Sequence, residues 1–348
     1  MPDDIFRIFL CGDVMTGRGV DQIFHHPCSP HLYETYVKDA RKYLYLAEAK
    51  NGKISYPVFR DYIWGEALSI WDKQKPDLRI INLETAITQS DHYWPGKEIH
   101  YRMHPLNIDV LTSAHIDICT LANNHILDWG YDGLRETLTT LKTADIQFSG
   151  AGKNLNQAKQ PAIIQLEGKK RILVFSIGMP TSGVLSDWQA TYFRSGVYYL
   201  QEFGPKSLSL VSDNIKKHKN PGDLVILSIH WGANWGYDVS DDFQNFAHAL
   251  IDEAKVDVIF GHSSHHPRPI EIYKNKPILY GCGDFINDYE GISGYESFRG
   301  DLVLMYFLDF NRKTLEFEKM NLIPLKIRSF SLHQTTEEER AWLLSRLK

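Results

Sequence analysis

The chain has 348 residues, with 38 lysine and arginine side chains against 43 aspartate and glutamate, a net charge of −5 with histidine neutral. That length suffices for one large α/β domain, since a chain of roughly 300 residues buries about 75% of its unfolded surface. Dense lysine or arginine runs are absent, and no apolar stretch reaches the roughly 20 residues that a spanning helix needs, so neither nucleic-acid binding nor membrane insertion is expected.

At the start, Met1-Pro2-Asp3-Asp4 carries acid where a secretory signal needs basic residues. Cys11, Cys28, Cys119 and Cys282 are widely spaced, and they read as small buried hydrophobes in a reducing cytoplasm, not as disulfide partners. The apolar runs 5–11, 78–81, 116–122, 224–229 and 256–260 read as buried strands, each followed directly by polar side chains. The first meets Gly12-Asp13, the second Asn82-Leu83-Glu84, and the third Asn123-Asn124-His125 with Asp128 three residues on. The fourth meets His230-Trp231-Gly232, and the fifth Gly261-His262-Ser263-Ser264-His265.

Helical patterns over 65–73, 133–144, 206–218 and 240–254 alternate with these strands, which predicts βαβ units and a largely parallel sheet. Hairpins are expected from 161–166 with 171–177, from 270–273 with 277–280, and from 303–310 with 315–324. An aromatic insertion over residues 25–62, with Tyr33, Tyr36, Tyr43, Tyr45 and Tyr56, reads either as a lid over a crevice or as a packed helix pair. The reading is one domain over residues 1–330, followed by a C-terminal helix over 331–348.

In open α/β sheets ligands bind beyond the carboxyl ends of the strands, so the five polar endings can share one crevice although they span most of the chain. Asp13 and Glu84 offer carboxylates to a divalent cation, and the amide oxygen of Asn124 suits the same hard ion. His230, His262 and His265 add imidazoles, the commonest side-chain metal ligands. His125 can move a proton or orient a substrate oxygen, and Asp128 can fix its tautomer. Arg18 and Arg102 are candidates to grip an anionic substrate, Asn123 to contact it, and Trp231 to form an apolar wall beside His230. His266 is a candidate for supporting the cluster from behind. Asp284, Asp288 and Glu290 read as an acidic lip that would repel a polyanion.

The ordered set Gly12-Asp13-Val14-Met15, Asn82-Leu83-Glu84, Ala122-Asn123-Asn124-His125, His230-Trp231-Gly232, Gly261-His262-Ser263-Ser264-His265 and Tyr280-Gly281-Cys282-Gly283-Asp284-Phe285 resembles the CapA family of capsule and poly-γ-glutamate synthesis proteins. That family is similar in turn to the calcineurin-like metallophosphoesterases. The resemblance implies an α/β fold built as a four-layer αββα sandwich of two mixed sheets, with a two-metal centre of manganese, iron or zinc. On that pattern Asp13 and His265 hold the first ion, Glu84 bridges, Asn124, His230 and His262 hold the second, and His125 acts unligated on the leaving group. Three departures stand out: Met15 where the phosphoesterases have a histidine, Glu84 where they have an aspartate, and two residues instead of one between His262 and His265. One or two ions per chain are therefore expected. The implied activity is hydrolysis of a phosphoester or a γ-glutamyl-type amide in a small molecule or polymer. The alternative is a non-catalytic accessory protein of polymer synthesis or export.

Overall fold

Phe6, Ile8 and Leu10 point to one face of the first strand while Phe9 and Cys11 point to the other, and both sets are buried. A strand buried on both faces needs a layer on each side, and that requirement sets the architecture. A computed structural model describes residues 4–348. One sheet runs, edge to edge, through Ser331–Gln334, Phe317–Arg328, Leu302–Asn311, Ile5–Val14, Leu78–Leu83, Ile118–Thr120 and Gln147–Ser149, with Asp284–Ile286 pairing beside the end of Ile5–Val14. The other runs through Ile270–Tyr273, Lys276–Leu279, Val258–His262, Leu224–His230, Arg171–Gly178 and Ala162–Gln165.

Both sheets are mixed. Ile5–Val14, Leu78–Leu83, Ile118–Thr120 and Gln147–Ser149 are parallel, while Leu302–Asn311 and Phe317–Arg328 extend that sheet antiparallel. In the second sheet Arg171–Gly178, Leu224–His230, Val258–His262 and Lys276–Leu279 are parallel, flanked by an antiparallel strand at each edge.

Three apolar layers hold the sheets together. Between them lie alternate residues of each, including Ile8, Leu10, Ile80 and Ile118 from the first and Ile172, Val174, Ile226 and Val258 from the second. On the outer face of the first sheet, Phe9, Ile81 and Cys119 pack with Ile70 and Trp71 of helix Ala67–Gln74 and with Leu134, Leu138 and Leu141 of helix Gly130–Thr143. Outside the second sheet, Phe175, Leu227 and Ile259 pack with Val211 and Ile215 of helix Pro205–His218 and with Phe246 and Leu250 of helix Asp241–Asp252. The order is helix, sheet, sheet, helix. All four cysteines are buried and free, and among the described residues no helix is long and apolar enough to cross a membrane.

The three expected hairpins are present, and the four expected helices fall within a few residues of their predicted spans. The C-terminal reading needs correction, because Ser331–Gln334 first adds a strand to the sheet edge and the helix occupies only Glu337–Ser345. Residues 25–62 hold one helix, Arg41–Asn51, not a pair. It is anchored through Tyr43, Leu44 and Ala47, while Tyr36, Tyr45, Tyr56 and Phe59 face solvent.

Candidate metal centre

The parallel register brings the polar strand ends together. His230 is the direct neighbour of His262 across the second sheet, and Asp13 is flanked by Asn82 on one side and Asp284 on the other. The approach of Asp284 needs two glycines. A Cβ on Gly12 would lie 2.0 Å from the carbonyl oxygen of Gly283, and Gly283 itself has φ +74°, a conformation that costs a side-chain-bearing residue far more.

Asp13, Glu84, His230 and His262 are all buried, and Asn124 is half-buried beside them. One ligating atom from each of Asp13, Glu84 and His230 lies within 4.8 Å of the other two. Asp13 Oδ1 takes the Asn82 amide at 2.8 Å and His262 Nδ1 at 2.7 Å, and its Oδ2 takes the backbone amide of Ser263 at 3.2 Å. Ser263 holds φ +93° to make that contact, the kind of local strain that structures keep at working sites. His230 Nε2 faces the Asn124 side-chain oxygen at 3.0 Å and Glu84 Oε1 at 3.8 Å.

This network does not close. Glu84 Oε2, His230 Nδ1 and His262 Nε2 are buried and have no hydrogen-bond partner. In each histidine one ring nitrogen is paired and the other is bare, so a neutral ring leaves a lone pair unused. Burial pushes the Glu84 carboxyl well above its usual range, with Asp13 adding to the effect. Burial opposes charge on Asp13 too, but the rings of His262 and His230 outweigh it and hold that carboxyl low. Burial lowers His230 to about 3, so the ring is neutral and able to ligate. Carboxylate oxygens of Asp13 and Glu84 and the neutral imidazole of His230, gathered within 4.8 Å of one another out of water, are the donor set of a divalent cation. The residues present therefore fit a metal, which Asp13, Glu84, Asn124, His230 and His262 would hold.

Against this cluster stands His125. Its Nε2 lies 3.7 Å from Glu84 Oε1, and its Nδ1 lies 2.6 Å from Asp128 Oδ2. The backbone amide of Tyr101 donates to the same Asp128 oxygen at 2.7 Å. Lys97 donates to Asp128 Oδ1 at 2.6 Å, and its ammonium nitrogen is 3.0 Å from His125 Nδ1. Burial, helped by Lys97, lowers His125 to about 4.

Of the other predicted site residues, His265 stays beside the centre, with Nδ1 3.0 Å from Asp284 Oδ1 and with Asp13 near enough to favour its charge. The rest are committed to contacts of their own. Arg18 is buried and committed to Asp288 and Glu34, with its guanidinium over the Tyr43 ring. Arg102 donates to Ser90 and Asp91 and lies over Trp129. Asn123 braces the turn, donating to Asn82 and Leu83 while accepting from the His125 amide. Trp231 packs against Phe203 and Phe243 and donates its indole N–H to the Tyr280 carbonyl. His266 accepts from the Gly236 amide and stacks on Trp235 and Phe298.

The acidic lip is a correction. Asp284, Asp288 and Glu290 are buried, not at a rim. Asp284 is held by His265 and Asn287, Asp288 by Arg18, and Glu290 by the amides of Ser329 and Phe330. Sequence reasoning gave no role to Asn82, which fixes Asp13, or to Lys97, which fixes Asp128. The Asn82 signal was a polar residue inside an otherwise apolar strand; Lys97 lies in a polar loop and has no signal of its own.

With the geometry in place, the family match and the relatives by sequence agree with one another. Residues 7–289 match the family described as bacterial capsule synthesis protein PGA_cap. The chain is 44% identical over 341 residues to a probable polyglutamine synthesis accessory protein of Mycobacterium tuberculosis, covering 98% of this chain and 90% of that one. It is 26% identical over 343 residues to the PGA biosynthesis protein CapA of Bacillus subtilis, covering 96% and 77%. A solved structure of a phosphatase from Mycoplasma pneumoniae superposes with a TM-score of 0.49 at 12% identity, covering 97% of this chain and 96% of that one.

Proposed function

Since the chain belongs to the bacterial capsule synthesis protein PGA_cap family, we propose that it is a metal-dependent hydrolase serving capsule or poly-glutamate polymer metabolism. Its substrate is a phosphoester or a γ-glutamyl-type amide. The observation that carries this reading is the buried convergence of Asp13, Glu84 and His230, whose ligating atoms lie within 4.8 Å of one another, with His125 at its edge.

When bound there, a divalent cation supplies Lewis acidity and brings the pKa of water from 15.7 towards about 7. The chain's own residues do the rest. Asp128 and Lys97 lock the orientation of His125. The short contact to Asp128 assigns the ring proton to Nδ1, so Nε2 receives or returns a proton at the reacting group. Asn82 and Ser263 hold the Asp13 carboxylate still, and the buried walls exclude bulk water. Manganese, iron and zinc all suit the donor set. The four free, buried thiols support a reducing compartment, in keeping with the cytoplasmic expectation.

A second reading, a non-catalytic accessory protein that keeps the fold, is favoured by one observation, the thioether of Met15 beside Asp13 in place of a histidine. The test is hydrolysis of bis(p-nitrophenyl) phosphate and γ-glutamyl-p-nitroanilide by manganese-loaded protein, with His230→Ala alongside. Turnover of either compound that disappears in the variant supports the hydrolase. A chain that binds manganese and turns over neither supports the accessory role.

A further inference from the structure

Two tyrosines that the metal centre does not use pack against the histidines at its edge. The Tyr101 ring meets His125 edge-on, 4.6 Å between centroids, and the Tyr289 ring meets His265 edge-on at 5.0 Å. Their hydroxyl oxygens face each other 3.5 Å apart, and the Tyr289 oxygen lies 3.8 Å from the Met15 sulfur. The backbones of both are fixed by groups of the site itself. The Tyr101 amide donates to the Asp128 oxygen that meets His125. The Tyr289 amide donates to Asn287 Oδ1 at 3.1 Å, and the Asn287 amide group holds Asp284.

The rings are held, but the Tyr289 hydroxyl has no strong acceptor. Hydrogen bonds between hydroxyls are usually about 2.7–2.8 Å long, so the contact with Tyr101 is a long one, and a thioether sulfur accepts only weakly. Tyr101 and Met15 are buried, whereas Tyr289 is half-buried, so solvent reaches this member of the three. Burial raises its phenol well above the ordinary value, with Asp284 and Glu84 adding to the effect and Arg18 opposing it, and the hydroxyl keeps its proton at neutral pH. From the His265 side of the centre it reaches towards the tyrosine that packs on His125, with a proton free to donate.

We propose that Tyr289 contacts the substrate, its hydroxyl donating a hydrogen bond to an anionic oxygen of the reacting group while Tyr101 orients it. This deepens the hydrolase reading above and rests on it. The chemistry recognised is an oxyanion, either a phosphoryl oxygen of a phosphoester or the oxygen on the tetrahedral carbon formed from a γ-glutamyl-type amide. A donor already in place stabilises such charge without having to reorganise. Arg18 and Lys97 are committed to carboxylates, which leaves a neutral hydroxyl to meet it.

The test compares the manganese-loaded full chain with Tyr289→Phe and Tyr101→Phe, each of which removes one hydroxyl and keeps the ring. Metal content by elemental mass spectrometry and the melting temperature are expected to match the unaltered chain in both. With bis(p-nitrophenyl) phosphate and γ-glutamyl-p-nitroanilide as substrates, kcat is expected to fall about a hundredfold in Tyr289→Phe and by a smaller factor in Tyr101→Phe, with KM little changed. The compound on which the loss is seen identifies the oxyanion. An unchanged kcat in Tyr289→Phe, or a fall accompanied by lost metal or a lower melting temperature, would overturn the contact and leave the hydrolase reading standing. If the unaltered chain turns over neither compound, the hydrolase reading falls, and calorimetric titration with inorganic phosphate decides the contact. Binding about tenfold weaker in Tyr289→Phe would uphold it; equal binding by the two proteins, or none by the unaltered chain, would overturn it.

Discussion

His125 carries the sharpest residue-scale consequence. Buried beside Asp128 and lowered to about 4, it is neutral near pH 7 and presents Nε2 to the crevice. His125→Ala is predicted to reduce turnover by about 10² to 10⁴, the span of acid–base catalysis, with metal content unchanged; loss of metal in that variant would move His125 into the coordination sphere. Lys97→Met is predicted to lower kcat about ten- to a hundredfold with little change in KM, because the ammonium orients the pair without being spent on substrate. Lys97→Arg should recover part of that loss, and a KM effect alone would make Lys97 a substrate contact. At this scale the sequence was legible where an apolar strand ended on a polar side chain, as at Asp13, Glu84, His230 and His262. It was silent where the deciding partner lies far along the chain. Arg18 looked available for an anion because nothing near it in sequence announces Asp288, 270 residues away.

Among the elements, the C-terminal helix makes an independent case. Thr336 and Glu339 form a reciprocal capping box at its start, and Glu339 also meets Lys326 and Arg299. Burial alone would raise the Glu339 carboxyl, but Lys326, the Thr336 backbone and Arg299 outweigh it and bring it to about 2. A carboxyl lowered in the folded state adds stability that is present above its unfolded value near 4.5 and is lost as pH falls through about 2. Urea melts should therefore show Glu339→Gln less stable than the unaltered chain at pH 6, with the gap narrowing below pH 4.5; a gap independent of pH would remove the ion pairs from the account. Thr336→Ala should cost about 1 kcal/mol, as lost N-caps do. The expected helix was placed too early because the four residues Ser331–Gln334, too few to show a period, pair with Phe317–Arg328, and edge pairing has no local signature. Gly12→Ala tests the strand crossing beneath the site. Its methyl group would collide with the Gly283 carbonyl, and a destabilisation of about 1–3 kcal/mol is expected from overpacking.

Across the whole molecule, the layered order follows from periodicity. Strands such as Ile5–Val14 and Leu224–His230 are buried on both faces, which demands cover on both sides and makes a two-sheet sandwich with outer helices readable in outline. Which strands share a sheet was not readable, because Leu78–Leu83 and Leu224–His230 have the same apolar character and only the packed whole assigns them to different sheets. The convergence of five strand ends was legible for that same reason: parallel strands of a layered fold deliver their carboxyl ends to one edge. The pairing of His265 with Asp284 was not, since it depends on a three-dimensional choice between two neighbouring carboxylates.

The central claim is that Asp13, Glu84 and His230 gather their ligating atoms to hold a cation, and thermal unfolding of metal-stripped protein with and without Mn(II) addresses it most directly. A ligand that binds only the folded state at about 100 times its Kd adds about 2.7 kcal/mol. That corresponds to a rise of several degrees in Tm for a large domain. The account predicts such a rise for the unaltered chain and none for His230→Ala; equal behaviour of the two proteins, whether both rise or neither does, would contradict it.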